Sequence, residues 1–321
     1  MRGSGGERLE DMNRPPRLRR SIISVPANSE KMLGKAPGLA ADVVMLDLED
    51  SVPVDQKERA RSMAAECLKS GNWGAQVRSV RINDMSTPFA YRDLIEVVEA
   101  AGDCIDTIVV PKVNDPAEIK AIDYFLMQIE SAMGFEPERI GLEASIETAE
   151  GMLEVEDIAY ASTRLETLVF GIADYTSSLG MLSKGTSGHG DAEEFYPGHR
   201  YHFPLSRIAM AAKAAGLAAI DAPYGDFKNP DGLRQSCLLS AALGFDGKWA
   251  IHPSQIEIIN ETYSPSPEDV ERARRVVEAF EKAVQKGRGA VSLDGKMVDA
   301  ASIRVARTTL AHHAAIAGKE G

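Results

Sequence analysis

Eight short β-like runs, separated by helix-like stretches, set the tightest limit on how this chain can fold. They are 21–25 (SIISV), 42–47 (DVVMLD), 77–82 (VRSVRI), 105–110 (IDTIVV), 140–146 (IGLEASI), 167–172 (TLVFGI), 217–221 (LAAID) and 248–251 (KWAI). Between them, residues 55–69, 88–101, 115–133, 150–160, 204–215 and 230–243 read as helices. Apolar strands alternating with helices indicate parallel strands, and eight of them predict an α/β fold of the (β/α)8 TIM-barrel type. A chain of 321 residues with 44% hydrophobic content accommodates one barrel of about 250 residues plus an appendage as well as it accommodates two domains. The barrel is the preferred reading.

That reading divides the chain into a mobile tail at 1–16, a catalytic barrel at 17–262 and a small C-terminal module at 263–321. In the module, Val270, Ala273, Val277, Phe280 and Val284 recur near helical spacing, and Asp294-Gly295 within VSLDGKMV is a two-residue hairpin signal. A last helix is predicted over 300–316. Such a module is too small to build its own core, so it is expected to dock on the barrel or on a neighbouring subunit as a lid or oligomerisation element.

The formal net charge of -12 argues against nucleic acid as a general partner, because phosphate-backbone binding rests on clustered Lys and Arg, though it leaves room for a local basic pocket. Cys67, Cys104 and Cys237 are far apart and form no C-x-x-C pair, which suggests neither a disulfide framework nor a zinc site and points to a reducing cytoplasm. No apolar run approaches the roughly 20 residues of a membrane span, and the N-terminal tail lacks the apolar centre of a signal peptide.

Strand ends carry the chemistry in a parallel barrel. The predicted strands are followed by Pro26, by Asp47, Glu49 and Asp50, and by Arg81, Lys112, Glu147, Asp174, Asp221 and His252. Glu147 and Asp174 both fall where a buried run gives way to helix-like sequence, so they can converge on one hard cation; each can also be a first-turn acid favoured by the helix dipole. MLDLEDSV crowds Asp47, Glu49 and Asp50 into four residues. Such crowding raises pKa values unless positive charge is near; a bound divalent ion with Arg81 close by would relieve it, and ion pairing of Arg81 with Glu49 or Asp50 alone is the alternative. Residues 183–203, rich in glycine and polar side chains, are a candidate active-site loop or a tolerated insertion. His189, His199 and His202 there are too loosely spaced for a convincing zinc site. Serine-hydrolase elbow, P-loop and dinucleotide fingerprint are all missing from the sequence.

The ordered stretches RLRRSIISVPANSEKM, DVVMLDLEDSVPVDQKERAR, VRIN, VVPKV, IETAEGM, FGIADYTSSLGM, AIDAPYGDF, GKWAIHPSQI and GRGAVSLDGKMVDAASI run from about residue 17 to 310. Together they resemble the HpcH/HpaI aldolase and citrate lyase β-subunit superfamily, and within it the acyl-CoA lyases. AIDAPYGDF and the long loop resemble malyl-CoA/β-methylmalyl-CoA lyases, while VPANSEKM and GLRQSCLLSAALGFDGK also resemble citramalyl-CoA lyases.

The resemblance implies Mg2+, with Mn2+ as an alternative, held by Glu147 and Asp174. It implies Arg81 at the substrate thioester, and Glu49 and Asp50 behind the metal or holding the arginine. Asp299 is implied as an acid/base supplied by a neighbouring subunit of a homotrimer or hexamer. For the coenzyme A part of the substrate it implies Ile251, His252 and Pro253. Basic contacts would fall to Arg19, Lys31 or Lys35, since Asn28 and Ser29 stand where relatives often carry a basic residue. The expected reaction is reversible cleavage of (S)-malyl-CoA, or β-methylmalyl-CoA, to glyoxylate and acetyl-CoA or propionyl-CoA. Citramalyl-CoA cleavage to pyruvate and malyl-CoA hydrolysis are the alternatives.

Overall fold

The computed structural model describes residues 17–181 and 199–320. The tail at 1–16 and most of the loop at 183–203 lie outside the described residues. Two compact units divide the chain, 1–260 and 261–321.

The first unit is a closed barrel of eight parallel strands in sequence order. These are β1 (Ser21–Pro26), β2 (Val43–Asp47), β3 (Val77–Arg81), β4 (Thr107–Val110), β5 (Gly141–Ile146), β6 (Leu165–Phe170), β7 (Ala218–Asp221) and β8 (Gly247–Ala250). The helices around and between them are α1 (Glu30–Leu33), α2 (Lys57–Ser70), α3 (Ala90–Ala101), α4 (Pro116–Met133), α5 (Ala149–Leu153), α6 (Val155–Ala159), α7 (Ile172–Ser178), α8 (His202–Ala214) and α9 (Pro230–Ala242). A further helix, α10 (Ile256–Thr262), carries the chain from one unit to the next.

Local chemistry sets the boundaries. The longest barrel helix starts where Asp115 caps it and Pro116 occupies its first turn, and it stops at Gly134, whose φ of 72° is the left-handed conformation a helix end favours. Residues 150–160 differ from the single helix expected: Glu154 leaves the helical region and splits them into α5 and α6, with Met152 buried before the break and Val155 and Ile158 after it. The sixth strand also ends earlier than the apolar run suggests. Gly171 N–H makes the last ladder bond to Ile146 O, and its own carbonyl accepts the first helical bond from Tyr175. Asp174 therefore sits in the first turn of α7, not at a strand end.

Inside the barrel, alternate strand residues form layers. Ile22, Val43, Met45, Val77, Val109, Val169, Ile220 and Trp249 make the apolar interior. Below it, toward the N-terminal ends, Glu143 is fully buried and satisfied by Ser79, Thr107 and Thr167 hydroxyls at 3.2, 2.7 and 3.1 Å. Arg19 belongs to this floor. Its guanidinium donates to Glu166 at 2.5 Å and stands 3.6 Å from Glu143, so it is buried at the end of the barrel opposite the strand C-termini. The expectation that Arg19 meets coenzyme A at the mouth is corrected: it precedes β1 and neutralises acids at the bottom.

The second unit consists of α11 (Pro267–Gln285), the hairpin β9 (Val291–Leu293) and β10 (Lys296–Val298), and α12 (Ala300–Glu320). Asp294 and Gly295, with φ of 51° and 74°, make the tight turn their sequence predicts. Arg275 ties α11 to that turn through Asp294 at 2.6 Å. The apolar face of α11 buries Val270, Ala273 and Ala283, whereas Val284 points outward and is 53% exposed. Either residue follows Phe280 at helical spacing, and the alanine takes the inner position.

Candidate functional site

The C-terminal mouth of the barrel gathers opposite charges from four consecutive strands. Asp47 ends β2 and is paired in register with Arg81, which ends β3. That adjacency produces a two-point contact, Nε to Oδ1 and Nη2 to Oδ2, both 2.7 Å. Asp47 also accepts the backbone N–H of Glu49 at 2.9 Å and of Ser51 at 3.3 Å, folding the acidic loop back over the strand end. Burial works to raise the Asp47 pKa, but the charge and hydrogen bonds of Arg81 carry it below the ordinary value.

Glu49, 3% exposed, lies 2.8 Å from Arg81 Nη1 through Oε2. That oxygen accepts no aligned hydrogen bond, so the contact is coulombic. Burial lifts the Glu49 pKa despite the nearby Arg81 and Lys112. Asp50 is 64% exposed and turns to Lys112 instead. The expectation of Arg81 pairing with Glu49 or Asp50 is thus refined: Asp47 takes the fork, Glu49 the remaining edge and Asp50 neither.

Glu147 follows β5 and is 4% exposed. Burial, with the charge of Glu49 adding to it, pushes its pKa up to about 7, although Arg81 and Lys112 pull the other way. Gly171, at the end of β6, makes room for this side chain: a Cβ there would stand 2.3 Å from Glu147 Cγ, closer than two carbons can approach. Asp174, 42% exposed, faces the same region from the first turn of α7.

Lys112 joins these groups. Its ammonium lies 2.5 Å from Glu49 Oε1, 3.0 Å from Asp50 Oδ2 and 3.8 Å from Asp174 Oδ2, and its backbone N–H points to Glu147 Oε1 at 3.4 Å. Sequence reading noted it at a strand end but gave it no role. Its left-handed backbone, φ 50°, turns the side chain over the mouth, and nothing in VVPKV announces that conformation. Sequence reading also passed over Lys57 and Asn83. Lys57 Nζ holds the carbonyls of Leu48 and Glu49, both at 2.7 Å, and Asn83 holds Leu48 O at 3.0 Å. They fix the acidic loop from beneath.

The remaining candidates take other positions in the chain. Lys31 and Lys35 are exposed in the segment after β1. Ile251, His252 and Pro253 follow β8; Ile251 is 47% exposed, and the His252 ring stacks on Phe227 with centroids 4.8 Å apart. Asp299, in the second unit, caps α12: its Oδ1 accepts from the backbone N–H of Ala301 and Ser302 and from the Ser302 hydroxyl, each at 3.0 Å. The hydrogen bonds from Ser302 hold its carboxyl below the usual range.

A closed parallel barrel with buried acids and paired cations at its C-terminal mouth is the architecture of barrel enzymes that act on small anionic substrates. The family described as HpcH/HpaI aldolase/citrate lyase matches residues 20–253, and this chain belongs to it. A second match, to a C–C bond lyase of the TIM-barrel fold, covers residues 207–317. The chain is 41% identical over 300 residues to an L-malyl-CoA/β-methylmalyl-CoA lyase of Rhodobacter capsulatus, covering 91% of this chain and 93% of the relative. It is 38% identical over 298 residues to a (3S)-malyl-CoA thioesterase of Cereibacter sphaeroides, covering 93% and 95%. The structure of CitE from Mycobacterium tuberculosis in complex with magnesium, acetoacetate and coenzyme A superimposes with a TM-score of 0.72 at 29% identity, over 92% of this chain and 98% of that one.

Proposed function

We propose that this protein is a divalent-cation-dependent carbon–carbon lyase that cleaves (S)-malyl-CoA to glyoxylate and acetyl-CoA, and β-methylmalyl-CoA to glyoxylate and propionyl-CoA. The observation that carries the proposal is the convergence of Glu147 and Asp174 beside Arg81 at the barrel mouth. The donor set fits Mg2+, or Mn2+. Both groups offer hard oxygens, and among the described residues five carboxylates, Asp47, Glu49, Asp50, Glu147 and Asp174, gather around three cations, Arg81, Lys112 and, from beneath, Lys57. Burial, with the charge of Glu49 beside it, raises the Glu147 pKa to about 7, so a further cation there would stabilise its carboxylate.

Glu147 and Asp174 would hold the metal, which when bound supplies Lewis-acid polarisation of the substrate's oxygens. The protein's own groups do the rest. Cleavage removes the hydroxyl proton, converts that C–O to a carbonyl as the C–C bond breaks, and leaves the electron pair as a thioester enolate. Arg81 is placed to stabilise the enolate oxygen, held in orientation by Asp47 and Glu49. Asp299 from a neighbouring subunit protonates the enolate carbon, and abstracts that proton in the reverse direction. The hydroxyl proton passes to solvent, and the exposed Asp299 carboxylate takes up a proton from solvent before giving it to carbon, so one proton is lost and one gained. Lys31, Lys35 and the Ile251–His252–Pro253 turn remain the proposed contacts of the coenzyme A portion. We place the enzyme in the cytoplasm as a homotrimer or hexamer. Among the described residues no helix is long and apolar enough to cross a membrane, and the three cysteines are unpaired.

The test is a carbonyl-trapping assay with Mg2+ on (S)-malyl-CoA and (S)-citramalyl-CoA. Faster glyoxylate release from malyl-CoA is the expected result. Faster pyruvate release moves the protein to citramalyl-CoA, and free thiol without acetyl-CoA moves it to the thioesterase reaction that one relative is named for.

A pH dependence follows from Glu147. Its folded pKa of about 7 exceeds the ordinary 4.5, so its proton stabilises the metal-free fold fully below pH 4.5 and ceases to do so as pH rises through 7. Mg2+ must displace that proton. The rise in melting temperature on adding a fixed Mg2+ concentration is therefore expected to be largest above pH 7 and to shrink below about pH 6. A pH-independent rise would contradict the assignment of Glu147 as a ligand.

A further inference from the structure

We propose that the Lys112 ammonium is a built-in counter-ion that occupies the acidic mouth in the metal-free protein and competes with the divalent cation for it. The inference rests on the reading of Glu147 and Asp174 as metal ligands. Three observations carry it. First, Lys112 reaches four of the five acids at the mouth, all but Asp47. Its Nζ lies 2.5 Å from Glu49, 3.0 Å from Asp50 and 3.8 Å from Asp174, while its own N–H points to Glu147.

Second, the contact is built by a costly backbone. A lysine with φ of 50° is left-handed without the freedom of glycine, and such strain persists only where neighbours enforce it. Here the next residue is pinned: Val113 is fully buried, its N–H bonds Ser145 O at 3.0 Å, and its carbonyl lies so close to Gly151 that a Cβ there would be 2.1 Å away. Third, the Lys112 side chain is only 18% exposed, so its charge is poorly screened and its repulsion of a second cation is strong.

The other cations of the cluster are held away from Asp174. Arg81 is engaged by Asp47 and Glu49, and Lys57 by two carbonyls. Lys112 alone of these three reaches Asp174. Because its stem is flexible and Asp50 is exposed, the ammonium can swing outward when a divalent ion enters. Its displacement is then part of the cost of metal binding.

The experiment is Mg2+ titration calorimetry on wild type, Lys112→Met, Lys112→Arg and Glu147→Ala. Removing the charge in Lys112→Met is expected to tighten Mg2+ binding by about tenfold or more, while Lys112→Arg, which keeps a cation, stays within about threefold of wild type. If Lys112→Met fails to fold without metal, its affinity is read by chelator competition from protein purified in Mg2+, with the same expectation. Unchanged or weaker Mg2+ binding in Lys112→Met, with wild-type binding intact and lost in Glu147→Ala, overturns the role of Lys112 alone. Absence of Mg2+ binding in wild type overturns the metal reading and this inference with it.

Discussion

Replacing Glu147 with glutamine is expected to lower Mg2+-dependent kcat/KM by about 10³-fold or more, and at the same time to raise the melting temperature of the metal-free protein by about 2–5 °C. The two effects share one cause. Glu147 is buried beside Glu49 and Asp174, and its carboxylate is so disfavoured that its pKa reaches about 7. Above that pH the ionised group costs about 3 kcal/mol relative to an ordinary glutamate, a cost that metal binding offsets and that a neutral amide of the same shape removes. The amide oxygen can still accept from Lys112 N–H, so the fold has little reason to suffer. A structural glutamate behaves oppositely, because losing it leaves partners unsatisfied and lowers the melting temperature. Thermal scans with and without Mg2+, beside steady-state kinetics, separate the two. Retained activity, or a less stable metal-free variant, would refute the ligand assignment.

The barrel was legible because parallel strands covered on both sides are mostly apolar, and VVML, TIVV and TLVF read that way whatever surrounds them. Strand ends were less so. The run TLVFGIAD continues apolar past the strand, and only the exchange of hydrogen bonds at Gly171 moves Asp174 into a helix. Register explains the Arg81 partner. Asp47 and Arg81 are neighbours across β2 and β3 and face the same side, while Glu49 and Asp50 lie beyond the strand, where only a folded loop brings them back. Arg19 was misplaced because position along the chain says nothing about which end of the barrel a residue enters; Glu166 and Glu143, distant in sequence, draw it to the floor. Lys112 was invisible as a bridge for a related reason. Its partners come from the loop after β2, the end of β5 and α7, and its left-handed turn is enforced by packing of Val113, not by any residue preference.

Asp299→Asn is expected to reduce turnover by about 10²- to 10⁴-fold, the usual worth of a positioned acid/base, with Mg2+ affinity and melting temperature unchanged. Stability is spared because asparagine caps a helix about as well as aspartate, and its oxygen can take the bonds from Ala301, Ser302 N–H and the Ser302 hydroxyl. The sharper result comes from mixing. Glu147→Gln and Asp299→Asn chains are each inactive alone, yet each retains the group the other lacks. If every site takes Glu147 from one subunit and Asp299 from the next, random reassembly of equal amounts restores both groups in about a quarter of the sites, and activity should return to about a quarter of wild type. If each site uses a single chain, no mixture recovers anything. Subunit exchange checked by native mass spectrometry, followed by glyoxylate release from malyl-CoA, decides between them. A silent mixture of demonstrably exchanged chains would remove Asp299 from its role as a neighbour's acid/base.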